Sequence, residues 1–333
     1  MIKERILITG GAGFIGTHLV NSLVANSEIK FELEIVDDLS SSSISSERFD
    51  FFAKKGILFR HSTVEEFRIP TNVRYDKIYH LACRVGPAHV TKYTGRMALE
   101  ILSDAMKMAD LALRDNAPLI SVSTSEVYGK DPHGKPQSEK NSLEFSSKIT
   151  SRQEYTGEKW MTEVQLINLS KVEPLRVNFI RPFNIVGPHQ TGEGGFVLPR
   201  FVEPALRNQP IKVFGDGSQV RAFTHVSDLV KALVLIMESK VNRRIYNIGT
   251  PENTITILDL AKKVVYLLNS RSEIIHADPK KIFGKLYSDA PSKIPDISLI
   301  KKELRWNPVW SMDEIILDYA SFVSGATAIS ATG

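Results

Sequence analysis

The sequence predicts an α/β protein in which helices cover both faces of a parallel sheet. Short apolar runs alternate with helical patterns through the first half of the chain, and a glycine-rich turn joins the first run to the first helical pattern. The chain has 333 residues, of which 42% are hydrophobic and 24% charged, a composition that is ordinary for a protein with a large core. Strands that alternate with helices are typical of a doubly wound parallel sheet.

The periodicity of apolar residues predicts six strands up to residue 181 and helices throughout. Strands are expected at residues 5–9, 32–36, 57–60, 77–82, 119–123 and 175–181. Helices are expected at residues 14–24, 93–114, 152–169, 226–237 and 257–268. The polar segment between residues 130 and 150 is rich in turn-forming residues and is expected to be a surface loop.

Composition argues against several classes of protein. The one cysteine, Cys83, excludes an internal disulfide and fits a reducing cytoplasm. No apolar run is long enough to cross a membrane, and the N-terminus has no signal-peptide pattern. The net charge of +4 comes without a Lys/Arg cluster, and no His/Cys/Asp spacing indicates a metal. We therefore expect a cytoplasmic protein with no membrane, nucleic-acid or metal partner.

A glycine-rich turn predicts a dinucleotide site. Gly10, Gly13 and Gly16 follow the first predicted strand and open the first predicted helix. The first glycine permits a tight turn, the second lets the backbone approach a pyrophosphate, and the third lets the helix pack closely on the sheet. Asp37 ends the second strand, where a carboxylate can accept both ribose hydroxyls of adenosine. Because that charge would repel a 2′-phosphate, the predicted cofactor is NAD, held by a Rossmann-type fold.

A tyrosine and a lysine supply candidate hydride-transfer chemistry. Tyr155 and Lys159 stand four residues apart in a predicted helix and share one face. An ammonium and the positive nicotinamide of NAD+ would lower the pKa of the tyrosine from about 10, so that it could take the proton of an alcohol as hydride leaves. Thr124, at the end of the fifth strand, could hydrogen-bond the same oxygen, and Ser125 and Glu126 stand beside it.

These motifs, in this order, resemble the extended short-chain dehydrogenase/reductase superfamily, in its nucleotide-sugar epimerase/dehydratase branch. The resemblance covers about residues 3–322. The matching segments are Thr-Gly-Gly-Ala-Gly-Phe-Ile-Gly (9–16), Tyr-His-Leu-Ala (79–82), Ser-Thr-Ser-Glu-Val-Tyr-Gly (123–129), the Tyr155/Lys159 pair, Arg-Pro-Phe-Asn-x-x-Gly-Pro (181–188), Pro-Arg-Phe (199–201), Phe-Gly-Asp-Gly (214–217) and Arg-x-Phe-x-His-Val-x-Asp (221–228).

The resemblance implies an enzyme that reuses one bound NAD in every turnover. Tyr155 would deprotonate the sugar 4-hydroxyl while C4 gives hydride to NAD+, and the 4-keto sugar would react further before it is reduced again or leaves. By position, Asn184, Arg200 and Arg221 would hold the diphosphate or nucleoside of a nucleotide-diphosphate sugar. The implied cofactor contacts, besides the three glycines and Asp37, are Phe14, Ile15, Leu81, Ala82, Tyr155 and Lys159.

Residues 124–126 bear on what happens to the 4-keto sugar between its formation and its reduction or release. The Thr-Ser-Glu of this chain resembles the UDP-glucuronate decarboxylases, which also have an arginine at the position of Arg152. Galactose-type epimerases usually have serines at these positions, and 4,6-dehydratases usually have Thr-Asp-Glu. Because 4-epimerisation needs no additional acid or base, a UDP-sugar 4-epimerase is the first expectation. A UDP-glucuronate decarboxylase, a sugar-nucleotide 4,6-dehydratase and a catalytically silent NAD-binding regulatory module are the alternatives.

Three positions depart from the pattern of the family. Ser62 stands where an acidic residue usually follows the third strand, and Lys293 stands where an arginine commonly precedes Pro-Asp. Arg84 follows the Leu-Ala of the fourth strand, next to the expected sugar site. Its side chain could bind a substrate carboxylate or cap a loop.

The chain is expected to have two parts and to form a homodimer. Residues 1–181 would be the NAD-binding Rossmann domain with the Tyr/Lys pair. Residues 182–325, where proline and glycine become frequent, would be a smaller α/β part that mainly binds the nucleotide sugar and returns in places to the first domain. Residues 326–333 are expected to be a disordered tail. The helix at 93–114 and the Tyr155 helix are amphipathic, and in similar proteins this pair packs against its copy as a four-helix bundle.

Overall fold

The computed structural model describes residues 4–25, 31–40, 46–86, 90, 92–129, 134–141, 143, 150–192, 195–283 and 290–325. The predicted tail lies outside these residues. The strands are β1 (Glu4–Thr9), β2 (Phe31–Asp37), β3 (Leu58–His61), β4 (Lys77–His80), β5 (Leu119–Val122), β6 (Val177–Pro182), β7 (Ile185–Val186), β8 (Ile211–Phe214), β9 (Val220–Ala222), β10 (Thr224–His225), β11 (Ile245–Ile248), β12 (Thr254–Thr256), β13 (Ile274–Ala277) and β14 (Ser292–Lys293).

The helices alternate with the strands as expected. They are α1 (Phe14–Ala25), α2 (Ser46–Lys55), α3 (Met97–Asp115), α4 (Ser151–Val172), α5 (Val197–Leu206), α6 (Val226–Glu238), α7 (Ile257–Leu267), α8 (Pro279–Phe283), α9 (Ser298–Leu304) and α10 (Met312–Val323), with 3₁₀ turns at Ser125–Tyr128 and Pro251–Asn253. The helix expected from residue 93 begins only at Met97, because Gly95 has a φ of +84°, which a right-handed helix does not allow. None of the helices in the described part of the chain has the length and apolar character needed to span a bilayer.

A seven-stranded parallel sheet forms the centre of the molecule, in the spatial order β11-β6-β5-β4-β1-β2-β3. The predicted doubly wound sheet is therefore confirmed. The direction of winding reverses between β1 and β4, and parallel sheets bind ligands at such a point, outside the carboxyl ends of the strands.

Apolar residues of the sheet point alternately to its two faces. Ile6 and Ile8 of β1 pack with α1 and α6 on one face, and Leu7 between them packs with α3 and α4 on the other. Because α6 and β11 come from the second half of the chain, residues 226–248 complete the large sheet and its helical layer. A separate apolar core, built mainly from α5, α7 and α10, supports the smaller part.

A buried ion pair ties α4 to the sheet. Arg181 of β6 donates from Nε to Glu163 Oε1 at 2.8 Å, and both side chains are at most 5% exposed. The guanidinium also donates to the Tyr128 hydroxyl at 2.9 Å, which in turn donates to Asn247 Oδ1 at 2.6 Å. This network fixes the helix that carries the predicted Tyr/Lys pair against β6 and β11.

We expect Arg181→Met to lower the free energy of unfolding by about 3–5 kcal/mol, because it leaves the Glu163 charge buried without a partner. Urea denaturation followed by circular dichroism measures the loss. The matched control is Arg244→Met, which removes a half-exposed guanidinium from Glu303 and should cost at most about 1 kcal/mol. Equal losses in the two variants would contradict the assigned role of the buried pair.

Candidate active site

The glycine-rich turn brings β1, α1 and the segment after β4 into backbone contact. Gly10 has a φ of +71°, and a Cβ there would lie 2.7 Å from the backbone nitrogen of Ala82. A Cβ on Gly16 would collide with the carbonyl oxygen of Gly10. At Gly13 the nearest atom to a Cβ would be 3.4 Å away, and the residue faces open space at the start of α1. That space and the free N–H groups of the first helical turn suit a pyrophosphate.

Asp37 stands at the carboxyl end of β2, facing this turn. Its Oδ2 accepts a hydrogen bond from Ala12 N at 2.9 Å and its Oδ1 accepts one from Leu39 N at 2.8 Å. Burial raises the pKa of the Asp37 carboxyl above its usual range, although both backbone hydrogen bonds oppose the change. Each oxygen keeps a lone pair for a ribose hydroxyl. The residues present therefore fit the adenosine and pyrophosphate of a dinucleotide.

A cavity of about 1960 Å³ extends from the glycine turn along the carboxyl edge of the sheet to the smaller part. The structure brings together all of the site residues predicted from the sequence, because each of them lines this cavity. They are Gly10, Gly13, Phe14, Ile15, Gly16, Asp37, Leu81, Ala82, Arg84, Thr124, Ser125, Glu126, Arg152, Tyr155, Lys159, Asn184, Arg200 and Arg221. Their individual roles remain predictions.

The Tyr/Lys pair projects from α4 into the middle of the cavity. Tyr155 is buried, and its phenol is hydrogen-bonded by the side chain of Thr124. Lys159 donates to the carbonyl oxygen of Val122, the last residue of β5, at 2.8 Å. Burial raises the pKa of Tyr155 in the protein alone, and the hydrogen bond from Thr124 opposes this. A phenolate at this place therefore needs a further positive charge, which an oxidised nicotinamide brings when it is bound.

A cluster of three charged side chains lies in the wall of the cavity, in the turn that follows Thr124 and in the segments that meet it. The Glu126 carboxylate is paired on Oε2 with the Arg152 guanidinium and on Oε1 with the Lys293 ammonium. The side chains are 21%, 18% and 9% exposed, respectively, so all three are largely withdrawn from water. Desolvation lowers the pKa of Lys293 to about 7. The carboxylate beside it favours the charged form. The cluster therefore holds two basic groups around one acid.

Lys293 is a site residue that sequence reasoning did not assign. The only signal in the sequence was its place before Pro-Asp. Its segment reaches the site because β14 pairs with β9, which sets Lys293 beside Arg221. In addition, Gln137 N donates to the carbonyl oxygen of Ile294 at 2.7 Å. The cluster therefore joins the smaller part of the molecule to the large sheet.

The three residues expected to hold the nucleotide lie on the smaller part. Arg221 is buried and donates to the carbonyl oxygens of Val220 and Ala290, at 2.8 and 2.7 Å. Asn184 has a φ of +39° and donates to Ala222 O at 3.2 Å. The Arg200 guanidinium stacks 3.6 Å from the centre of the Phe214 ring. Two fixed guanidinium groups at this end of the cavity suit a diphosphate.

Arg84 lies at the cofactor end of the cavity. Its guanidinium is paired with Glu100 of α3 and lies 3.5 Å from Asp38, the neighbour of Asp37, which is predicted to bind the ribose. It also stacks on the Tyr93 ring at 4.6 Å. These contacts favour the loop-capping role over the alternative of binding a substrate carboxylate.

The fold and the cavity define a dinucleotide-binding α/β enzyme with a second ligand-binding part. Residues 6–249 match the model of the NAD dependent epimerase/dehydratase family, and the chain belongs to this family. The predictions of an enzyme of this superfamily and of NAD as its cofactor are thereby confirmed.

The chain is also similar to individual proteins of known activity. It is 34% identical to UDP-glucuronic acid decarboxylase 1 of Arabidopsis thaliana, over 94% of this chain and 68% of that protein. It is 31% identical to UDP-N-acetyl-alpha-D-glucosaminuronate decarboxylase of Bacillus cytotoxicus, over 94% of this chain and 95% of that protein. Among solved structures, it resembles a UDP-glucose 4-epimerase of Thermotoga maritima with UDP-glucose, with a TM-score of 0.84, 27% identity and coverage of 96% and 99%.

We expect Tyr155→Phe to slow turnover by about 10²–10⁴-fold, because it removes the hydroxyl that is predicted to exchange the proton of the substrate alcohol. The ring stays, so the purified variant should keep its NAD(H), measured in the supernatant after denaturation. The control Tyr266→Phe removes a hydroxyl from a ring that is 80% exposed and should leave both quantities unchanged. More than about a tenth of the wild-type rate in Tyr155→Phe would exclude this base.

Proposed function

We propose that the protein is an NAD-dependent decarboxylase of a UDP-hexuronate, with UDP-glucuronate as the first substrate to test. The observation that carries the proposal is the cluster of Glu126, Arg152 and Lys293 beside Thr124 and Tyr155. The similarity to two uronate decarboxylases supports it. The 4-epimerase expected first from the sequence becomes the second candidate.

The charge of the cluster suits a substrate that carries a carboxylate. With Lys293 protonated, the two cations exceed the one carboxylate by a single positive charge. A hexuronate brings one negative charge at C6, which would neutralise the cluster, whereas a neutral hexose would leave the excess unpaired. Since unpaired charges are costly in a largely buried site, the cluster favours the uronate.

The residues around the cluster can carry the chemistry of decarboxylation. NAD held at the glycine turn and Asp37 would supply a reversible hydride acceptor for C4. Once C4 is a ketone, the C5–C6 bond can break, carbon dioxide leaves, and the electron pair of that bond becomes an enolate. Tyr155, which by then holds the proton of the 4-hydroxyl, and Thr124 can donate hydrogen bonds to the enolate oxygen.

A proton must then return to C5, and the cluster contains the groups that can supply it. Burial lowers the pKa of Lys293 to about 7 and the Glu126 carboxylate opposes this change, so the ammonium is a stronger acid than that of an exposed lysine and can give a proton to C5. Glu126 lies between Lys293 and Arg152 and can pass or hold that proton. Arg152 stays charged and would hold the substrate carboxylate until it departs as carbon dioxide.

A 4-epimerase is supported by one specific observation in addition to the similarity in fold. Both oxygens of Glu126 are already engaged by cations, so the cluster could be a structural ion network. Tyr155 and Thr124 would then be sufficient for hydride transfer, and the keto sugar would only rotate. A dehydratase would need an acid at Ser125 to protonate the departing hydroxyl, and this position has none.

The experiment is incubation with UDP-glucuronate, UDP-N-acetylglucosaminuronate and UDP-glucose, read by mass spectrometry and NMR. We expect at least one uronate to lose carbon dioxide and UDP-glucose to remain unconverted. Epimerisation with no change of mass would favour the second candidate, and loss of water would favour a dehydratase.

Glu126→Gln should slow the release of carbon dioxide by at least about tenfold, because it removes proton transfer while it keeps the shape of the side chain. The matched control is Glu158→Gln, a carboxylate of the Tyr155 helix that does not line the cavity, and its rate should be unchanged. If Glu126→Gln releases carbon dioxide at the wild-type rate, Glu126 takes no part in the proton transfer. If the wild-type protein epimerises its substrate without releasing carbon dioxide and Glu126→Gln does so at the same rate, the protein belongs with the plain epimerases.

We further propose that α3 and α4 form the interface of a homodimer. These helices pack side by side and leave Leu99, 83% exposed, and Met161, 41% exposed, on the surface. Such side chains gain from burial against a second copy. A cytoplasmic location stays a prediction.

Light scattering at micromolar concentration should show a dimer. The double variant with Leu99→Asp and Met161→Asp should be a monomer, because dimerisation would bury its new charges in the interface. The control Tyr266→Asp changes an equally exposed apolar residue of α7 and should leave the dimer intact. A monomeric wild-type protein would overturn the proposed interface.

A further inference from the structure

Asp104 is a carboxylate in the wall of the cavity that no step of the proposed reaction uses. On α3, cavity-lining residues recur every three or four positions, at Met97, Glu100, Ile101 and Asp104. The Oδ1 atom of Asp104 is buried and has no hydrogen-bond partner within the described ranges of the chain. Because a largely buried carboxylate without a hydrogen-bond donor is unfavourable, a molecule bound in the cavity would stabilise the Asp104 carboxylate by donating a hydrogen bond to it.

Asp104 borders the part of the cavity next to the ribose-facing Asp37. Ser62 directly follows β3 and donates its N–H to the carbonyl oxygen of Asp37 at 3.1 Å. Residues 62–64 line the cavity at that place. The next residue, Glu65, is near enough to Asp104 to raise its pKa, so this turn and α3 face each other. A base attached to a ribose at Asp37 would lie between them.

The charged groups around Asp104 leave its free oxygen without a donor. Glu100 and Lys107 face it from its own helix, Glu65 from the turn after β3 and Arg84 from the segment after β4. Burial and the two glutamates raise the pKa of Asp104 to about 7, and the two cations offset this only in part. A neutral hydrogen-bond donor would stabilise the charged carboxylate without adding a charge.

We infer that Asp104 recognises the base of the cofactor, by accepting a hydrogen bond from the exocyclic amino group of adenine. The nearby hydroxyls are already hydrogen-bonded within their own turn, Ser62 Oγ to Thr63 O at 2.9 Å and Thr63 Oγ1 to Glu66 Oε2 at 3.2 Å. A base with a carbonyl oxygen at this position would face the carboxylate and be rejected. This selectivity goes beyond the proposed reaction and holds equally for a decarboxylase or an epimerase.

The experiment compares NAD with nicotinamide hypoxanthine dinucleotide, in which an oxygen replaces the amino group. The purified protein is equilibrated with an excess equimolar mixture of the two, passed through gel filtration, and the bound nucleotides are measured by mass spectrometry. We expect wild type to retain NAD over the analogue by about tenfold or more, the effect of one hydrogen bond to a charged group. Asp104→Ala should bring the ratio close to equality.

Two further variants make the test specific. Asp110→Ala removes an exposed carboxylate from the same helix and should keep the wild-type ratio. Asp104→Asn supplies both a donor and an acceptor, and should lower the preference for NAD without loss of the folded protein. A wild-type protein with no preference, or a preference that survives in both Asp104 variants, would overturn the inference. Neither outcome depends on which sugar the enzyme converts, so a failure here is distinct from a failure of the proposed function.

Discussion

The charge cluster of Glu126, Arg152 and Lys293 is the interaction on which the arrangement of the active site depends. A buried ammonium is unfavourable without a partner, so the contact with Glu126 stabilises the docking of the segment around Lys293. Arg152 at the start of α4 balances the other oxygen of the same carboxylate. The contact therefore fixes the smaller part, the turn after β5 and the Tyr155 helix relative to one another.

The Arg181–Glu163 pair and the Glu126 cluster differ in what they can do. Arg181 and Glu163 balance each other's charge through two hydrogen bonds, and a third N–H of the guanidinium donates to Tyr128, so that network carries no excess charge. The Glu126 cluster instead lines the cavity and has one more basic group than acid. A buried pair whose charges balance holds secondary-structure elements together. A cluster that lines a cavity and has an excess positive charge can also bind an anionic group and transfer a proton.

The parallel sheet explains why cofactor and substrate groups meet. The carboxyl ends of β1, β2, β4 and β5 lie along one edge, and each is followed by residues that line the cavity. The glycine turn keeps α1 close to this edge because side chains at Gly10 and Gly16 would collide with backbone. The α4 helix then sets Tyr155 and Lys159 beside Thr124 at the end of β5, where a sugar and a nicotinamide can share one space.

The features that the sequence alone determined depend on the local order and periodicity of residues along the chain. Alternating apolar runs predicted the parallel sheet, the spacing of Gly10, Gly13 and Gly16 predicted the dinucleotide turn, and Tyr155 with Lys159 predicted one helix face. Each of these depends on residues close together in the chain, whose backbone geometry has few alternatives. The start of α3 was predicted too early, because the helical pattern continued through Gly95, whose positive φ excludes it.

The tertiary structure decided which distant side chains meet. Only the pairing of β14 with β9 places Lys293 on Glu126, and only the position of α3 beside the turn after β3 brings Asp104 into the wall of the cavity. The sequence likewise did not predict the contacts of Arg84 with Glu100 and Asp38. Charge pairing and burial depend on distance in space, which the order of residues along the chain does not specify.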